Sequence, residues 1–251
     1  MKPDEHIARQ RVFYEEREHA HLRARPDDWY ADKLAAGLCR YLGIGPEHRV
    51  LELGAGFGRF TFSLLDHCAS VVALDLSQRV LAELEQERDA RGIPAERCRT
   101  VCSDVADLDP AAIEAVDFVV GFFVLHHLPD VRAALARLRP ALGPGGAMGF
   151  LEPNRRNPLF AVQVLVSPDM TWREERGMFR LSAATVAADY RAAGLAPRAA
   201  DAFGFFPPPI VNRVAPARRL EGWLETRRWL RPVLPFLLLG ADLPRGEAGT
   251  R

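Results

Sequence analysis

Short apolar runs alternate with amphipathic stretches through the middle of the chain. The runs suited to buried strands lie at residues 49–53, 71–75, 100–104, 117–122 and 147–151. Helical spacing of apolar residues marks the intervening stretches 57–68, 77–91 and 130–142. Ser77 and Asp130 are suited to N-caps, while Gly92 and Gly143 are suited to helix ends. The alternation predicts an α/β fold with a doubly wound, mostly parallel sheet.

Further segments flank this alternating region. Two helical stretches, 5–23 and 28–42, precede the sheet, and Pro26 separates them. Ligands of open sheets bind beyond the carboxyl ends of the strands, so added segments there can cover the site. We therefore predict an N-terminal helical lid over residues 1–44 and a core over 45–251. A long connection at about 153–181 is predicted to be a cap insertion that roofs a pocket.

A glycine-rich turn follows the first strand, where Gly54, Gly56 and Gly58 have the spacing G-x-G-x-G. A dinucleotide site requires G-x-G-x-x-G, and here Arg59 replaces the third glycine. A P-loop requires Lys and then Ser or Thr after its last glycine, which this chain lacks there. Glu52, just before the turn, favours a ligand that carries an ammonium over a pyrophosphate, because a carboxylate repels phosphates. The sequence thus predicts a nucleoside that bears an amino acid.

Acidic residues also follow the second and third strands. Asp75 ends the run Val71–Asp75 and is predicted to accept hydrogen bonds from the two hydroxyls of a ribose. Asp104 ends the next run and is placed to accept from the exocyclic amine of an adenine. Because the carboxyl ends of parallel strands share one sheet edge, Glu52, Asp75 and Asp104 are expected to line one crevice. Helix capping or a surface salt bridge is the alternative role for each.

Taken in order, these motifs resemble the class I S-adenosylmethionine-dependent methyltransferases that act on small molecules. The matching stretches are LELGAGFGRF, VVALDLS, CSDVADL, VDFVVGFFVLHHLPD and LRPALGPGGAMGFLEPN. The resemblance implies a seven-stranded sheet whose last strand, near 236–239, is antiparallel. It implies S-adenosylmethionine as the cofactor. The residues that it would place around this cofactor are Glu52, Gly54, Ala55, Gly56, Asp75, Leu76, Asp104, Val105 and Phe122.

Candidate catalytic residues lie just past the fourth strand. His126 and His127 are placed to remove a proton from an acceptor hydroxyl, with His127 slightly preferred. Their alternative role is to bond backbone groups of the turn. Glu152 is the next candidate base, or a hydrogen-bonding wall residue.

Two tyrosines of the predicted lid, Tyr14 and Tyr30, are candidates to reach the cofactor carboxylate or the acceptor. Anchoring of the lid helices is the alternative role for both tyrosines. No metal site is predicted, because neighbouring histidines point apart and no third ligand has a suitable spacing.

Composition indicates which binding partners and which cellular compartment are expected. Basic and acidic residues number 33 each, so no overall charge favours a nucleic-acid backbone or an anionic membrane. The first 24 residues contain no apolar run of a signal peptide. The apolar run 233–241 is too short to span a bilayer and is predicted to be a strand. The four cysteines lack a paired CxxC spacing, which indicates a reduced, cytoplasmic protein. The sequence allows a homodimer without favouring one.

The acceptor class follows from aromatic and proline residues in two stretches, 153–181 and 203–209. They favour a small, apolar acceptor, although the same rings could simply pack the cap onto the sheet. Hydroxyl, amine and carbon nucleophiles all remain open, as does a role in specialised-metabolite tailoring. Two alternatives also remain: a methyltransferase-like binding module without turnover, and a nicotinamide oxidoreductase. The second lacks the Tyr-x-x-x-Lys pair, since the only lysines are Lys2 and Lys33.

Overall fold

The computed structural model describes residues 23–25, 27–158 and 176–244. Eight strands form one sheet within this part of the chain. They are β1 Arg49–Leu53, β2 Ser70–Asp75, β3 Cys98–Cys102, β4 Val116–Phe122, β5 Leu142–Pro153, β6 Ala196–Pro197, β7 Asp201–Phe203 and β8 Phe236–Asp242.

The strands are arranged in the order β3-β2-β1-β4-β5-β8-β6, and β7 also pairs with β8. Strands β1 to β5 run parallel, with Leu51 opposite Val72 on one side and Val119 on the other. Strand β8 runs antiparallel to β5, where Leu239 faces Phe150. This topology confirms the predicted doubly wound, mostly parallel sheet and its antiparallel last strand.

The sheet has eight strands and not the expected seven, because two short strands pair with β8 where one strand was expected. Strands β6 and β7 both pair antiparallel with β8 but are separated along the chain. Strand β6 ends at Pro197 on the edge of the sheet. The N–H of Arg198 then bonds Gly240 O at 2.8 Å, and its guanidinium forms an ion pair with Asp242. Two short strands therefore replace one long strand.

Seven α-helices are described, together with five short 3-10 turns. The helices are α1 Trp29–Leu42, α2 Arg59–Leu65, α3 Gln78–Ala90, α4 Val131–Leu138, α5 Ala183–Ala192, α6 Pro208–Val211 and α7 Ala215–Glu225. Helices α1, α2 and α3 contribute to the core on one face of the sheet, whereas α4 and α5 cover the other face. None of the described helices is long and apolar enough to cross a membrane.

Helix α1 belongs to the core, which differs from its expected role in a lid. Leu34, Leu38 and Leu42 are buried, and Leu42 packs so closely on Gly149 of β5 that a Cβ there would lie 2.7 Å away. A helix with this much apolar surface is stabilised by lying on the sheet rather than over a crevice. The other predicted lid helix and Tyr14 lie outside the described residues, and the boundary at residue 44 stays a prediction.

The segment between β7 and β8, residues 204–235, carries helices that the sequence analysis did not identify. Helix α7 packs with α6 and faces α1, so this segment forms a wall beside the carboxyl ends of the strands. Prolines at 207–209 and 216 concealed the helices, although proline is well tolerated in a first helical turn. Most of the expected cap at 153–181 lies outside the described residues.

Candidate active site

The glycine turn after β1 has the backbone shape that the sequence predicted. Gly54 and Gly56 have positive φ angles of 72° and 53°, a region that side chains with a Cβ rarely adopt. The N–H of Gly54 bonds Leu74 O at 2.8 Å, which ties the turn to β2. A Cβ on Gly56 would meet no protein atom within 4 Å, whereas one on Gly54 would lie 2.7 Å from Val124. Gly56 therefore borders open space that suits a ligand, and Gly54 is needed for close packing.

Asp75 lies directly beside this turn. One carboxylate oxygen accepts from Gly56 N at 2.9 Å, and the other accepts from Ser77 N at 3.0 Å. Burial raises the pKa of Asp75, while the N–H groups of Ser77, Gly56 and Leu76 partly offset this by stabilising the charge. The carboxylate is thus held in one orientation at the sheet edge. The half-buried Leu76 follows it.

Asp104 extends the same edge at the end of β3. Its carboxylate accepts from Ala106 N at 2.9 Å, which fixes a short turn, and the side chain of Val105 is buried. The N–H of Ser103 bonds Asp75 O at 3.0 Å, so the two strand ends are joined. The structure therefore brings Gly56, Asp75 and Asp104 together, and their contacts with adenosine stay predictions.

Glu52 points into the layer of α1 and α2, beneath the turn. Its side chain is 1% exposed and accepts from the Thr61 hydroxyl of α2 at 2.5 Å. The pKa of Glu52 is raised to about 8, because burial and the nearby Asp75 charge outweigh the opposing hydrogen bond from the Thr61 hydroxyl. The carboxylate is therefore readily protonated near neutral pH, and an adjacent cation would favour its ionised form. No sequence motif indicated Thr61 as the partner of Glu52.

Six aromatic rings form a continuous group at this end of the sheet, which we call the aromatic wall. Phe60 stacks on Phe122 with ring centroids 4.3 Å apart and planes within 10°. Phe236 contacts Phe123 at 5.4 Å between centroids. The complete set is Tyr30, Phe60, Phe122, Phe123, Phe203 and Phe236.

Four members of the aromatic wall are only half-buried: Phe60, Phe123, Phe203 and Phe236. Offset and edge contacts of this kind hold rings in defined positions. The wall therefore offers fixed aromatic surface beside the glycine turn.

Phe123 has a strained backbone at the end of β4. Its φ of 57° is unusual for a residue other than glycine. The conformation is held by the Phe123 N–H, which bonds Leu151 O at 2.8 Å on β5. Strain of this kind persists only where surrounding contacts fix it, and it is concentrated at functional sites. Here it turns the chain so that one ring joins the aromatic wall.

His126 and Glu152 form a buried pair behind this turn. The His126 Nδ1 and a Glu152 oxygen are 2.6 Å apart, and the second oxygen accepts from Val124 N and Leu125 N at 2.9 and 2.7 Å. Glu152 is fully buried, and His126 is 4% exposed. Because both oxygens are engaged by donors, Glu152 has the geometry of a positioning group rather than of a base. His127 stays half-buried, with its ring 3.9 Å from that of His126.

Arg59 is a site residue that the sequence analysis left unassigned. Its guanidinium forms a 2.8 Å ion pair with the buried Asp28 and lies over the rings of Tyr30 and Phe60. Asn212 of the 204–235 segment also donates to Asp28 at 2.9 Å. This contact links the glycine turn, α1 and the wall segment. The replacement of a third glycine by arginine was the available signal, but its partner is 31 residues away.

The chain also crosses the glycine turn just before α1. Arg23 forms an antiparallel bridge with Gly58, and its guanidinium lies over Phe57 and pairs with Glu83 of α3 at 2.8 Å. These contacts hold the chain before α1 against the glycine turn and α3.

Comparisons with known proteins agree with this geometry. Residues 51–148 match a family model described as a methyltransferase domain. The chain is 30% identical over 120 residues to a ubiquinone biosynthesis O-methyltransferase of Hahella chejuensis, covering 47% of this chain and 49% of that protein. The chain thus spans about half the length of this curated relative.

Two solved structures share the fold over most of the chain. N-methyltransferase NodS from Bradyrhizobium japonicum has a TM-score of 0.57 at 18% identity, covering 88% of this chain and 100% of that one. The [4+2]-cyclase SpnF has a TM-score of 0.56 at 19% identity, covering 86% and 82%.

Residues 51–148 are thus similar to a methyltransferase domain, and the described part of the chain has the fold of these two structures. The open space at Gly56 and the fixed carboxylate of Asp75 fit S-adenosylmethionine as the cofactor of this domain.

Proposed function

We propose that this protein transfers a methyl group from S-adenosylmethionine to a hydroxyl, amine or carbon of a small, apolar metabolite. The observation that carries the proposal is the meeting of the glycine turn, Asp75 and the aromatic wall at one sheet edge. The relative named for ubiquinone biosynthesis supports a small-molecule acceptor. A tailoring role in specialised metabolism and a cytoplasmic location belong to the same proposal.

The chain's own residues would bind, orient and exclude water. Asp75 would accept hydrogen bonds from the ribose, Asp104 and Val105 would border the adenine, and Glu52 would balance the charge of the ammonium group. When bound, the cofactor supplies a methyl group that is already activated on sulfur, so orientation provides most of the acceleration. The aromatic wall would hold an apolar acceptor against the turn while excluding water.

A hydroxyl acceptor also requires a proton acceptor, and we assign this role to His127. Glu152 holds His126 and the N–H groups of Val124 and Leu125, and thereby fixes the segment that carries His127. We expect His127→Asn to lower kcat by about 100-fold or more while leaving the Kd for the cofactor unchanged. Equal kcat values across pH for the variant and the wild type would exclude this role.

The decisive experiment measures product formation, not binding alone. The protein is incubated with methyl-labelled S-adenosylmethionine and three acceptor sets: apolar phenols, apolar amines and polar carboxylates. We expect transfer to members of the apolar sets. Tight cofactor binding without product in any set would favour the module without turnover. Binding of a nicotinamide cofactor in preference would favour an oxidoreductase.

A further inference from the structure

Helix α7 is amphipathic in the reverse of the usual sense. Its inward face carries Glu221, which is 1% exposed, and Glu225, and both carboxylates pair with the Lys33 ammonium of α1. Its outward face carries Leu220 and Trp223, which are 48% and 52% exposed. A surface helix ordinarily buries its apolar side chains and exposes its charges. The outward face of α7 therefore has the composition of a surface that another apolar phase covers.

The exposed apolar residues extend beyond α7 in both directions. Six of the seven large hydrophobic side chains that are exposed in the described residues lie between positions 210 and 233. They are Ile210 (38%), Val214 (46%), Leu220 (48%), Trp223 (52%), Trp229 (74%) and Val233 (39%). We call this group the α7 patch. Single exposed hydrophobic residues need no explanation, but a cluster in one segment marks an interaction surface.

Positive charge surrounds the α7 patch. Residues 210–233 contain six arginines and two acids, and both acids are the inward Glu221 and Glu225. Arg213, Arg219 and Arg228 are exposed. The outer surface is therefore apolar and cationic, with no acid of this segment directed outward.

Both features fit one kind of partner. Tryptophan and aliphatic side chains enter the boundary between headgroups and acyl chains, and arginines attract anionic headgroups. A second copy of this chain fits poorly, because a twofold contact would place this cationic surface against itself. We propose that the α7 patch docks the protein on the surface of an anionic lipid bilayer.

Docking on a bilayer does not require the methyl-transfer reaction, but the α7 patch lies on the same segment as one side of the crevice. The N–H groups of Gly204 and Phe206 bond Glu225 and Glu221, so the helix that carries the patch also holds the loop next to Phe203 of the aromatic wall. The docked face and the crevice thus share one segment. An acceptor dissolved in the bilayer would meet the protein on this side.

The test uses sedimentation of the full-length protein with vesicles. One vesicle preparation contains phosphatidylcholine with about a third phosphatidylglycerol, and the other contains phosphatidylcholine alone. We expect strong binding to the first only, weakening as salt is raised, with a shift of tryptophan emission to shorter wavelength. The double variant Trp223→Ser/Trp229→Ser should lose about tenfold or more in partitioning. Arg219→Ser and Arg228→Ser should each lose about fivefold.

Arg137→Ser is the matched control, because Arg137 is an exposed arginine of α4 in the opposite layer. It should bind vesicles like the wild type. The patch variants should keep the Tm of the wild type, since the replaced side chains are exposed. Absence of binding to the anionic vesicles overturns the proposal. So does equal binding by the tryptophan double variant, or loss of self-association in that variant without any vesicle binding by the wild type.

Discussion

The cofactor half of the proposed site, formed by β1 to β3 with the glycine turn, differs in how its groups are held from the acceptor half, formed by the aromatic wall, α1 and the 204–235 segment. Asp75 reaches Gly56 across 19 residues, and Asp104 bonds Ala106 within its own turn. In the acceptor half, Lys33 meets Glu221 across 188 residues, and Tyr30 N meets Asn212 across 182. The first half is organised by local backbone geometry, whereas the second depends on the completed fold. Substitutions in the cofactor half should therefore mainly change ligand affinity. Substitutions at the long-range contacts of the acceptor half should mainly change the free energy of unfolding.

The largest expected effect concerns the joint between α1 and α7, which consists of the ion pairs of Lys33 with Glu221 and Glu225. Lys33→Met removes the cation between Glu221, which is 1% exposed, and Glu225, and leaves the two carboxylates close together with backbone N–H donors but without this cation. We expect a loss of about 3–5 kcal/mol in the free energy of unfolding, measured by urea denaturation. The triple replacement Lys33→Met/Glu221→Leu/Glu225→Leu should recover much of it. A Lys33→Met protein as stable as the wild type would contradict the structural role of this joint.

The second prediction tests the cofactor half. Asp75→Ala removes the carboxylate that holds the Gly56 and Ser77 N–H groups, and the Kd for S-adenosylmethionine should rise by about 100-fold in calorimetry. Asp107→Asn is the control, because Asp107 is an exposed acid shortly after β3. It should leave the Kd unchanged. Unaltered affinity in Asp75→Ala would show that the nucleoside binds elsewhere.

The third prediction concerns pH and Glu52. The folded-state pKa of about 8 lies above the usual value of 4.5, so the folded protein binds the extra proton between these pH values. The stability of the protein without cofactor should therefore fall as pH rises from about 4.5 to about 8, and Glu52→Gln should abolish this slope. Cofactor affinity should instead rise about tenfold from pH 6 to pH 8, because the ionised carboxylate attracts the ammonium. A slope unchanged in Glu52→Gln would assign the titration to another group.

The smallest expected effect concerns the aromatic wall. Phe236→Leu keeps apolar volume but loses the ring contacts with Tyr30, Phe123 and Phe203. The KM for an apolar aromatic acceptor should rise about fivefold, with the Kd for the cofactor unchanged. Phe118→Leu, in β4 but toward its other end, is the matched control and should leave the KM unchanged. If the cofactor Kd rose together with the acceptor KM, the two halves would behave as one site, which would contradict their separation.

The same division explains what could be predicted from the sequence. The strand-then-acid pattern located Asp75 and Asp104, because a strand end and the turn after it are encoded within a few residues. The partners of Glu152 and Arg59 were not accessible in this way. Each of these two residues depends on a partner from another element, His126 for the first and Asp28 for the second. Helix α7 was missed because Pro216 in its first turn and Pro207 to Pro209 before it indicated a connecting segment.

Overall composition also concealed the α7 patch. The chain has 33 basic and 33 acidic residues, and this balance argued against contact with an anionic membrane. In the folded chain, the two acids of residues 210–233 are directed inward to Lys33, while arginines of the same segment are exposed. Net charge averages over such an arrangement, whereas the local surface determines which partner is attracted.

The scarcity of lysine has a practical consequence. Lys2 and Lys33 are the only lysines in 251 residues, and Lys33 is held between two carboxylates. An acylating reagent reacts only with a neutral amine, so Lys33 becomes reactive when helices α1 and α7 separate. The rate at which mass spectrometry detects acylation at Lys33, distinguished by its peptide from acylation at Lys2, would therefore time the local opening of this helix pair, because the guanidinium groups of the arginines do not react.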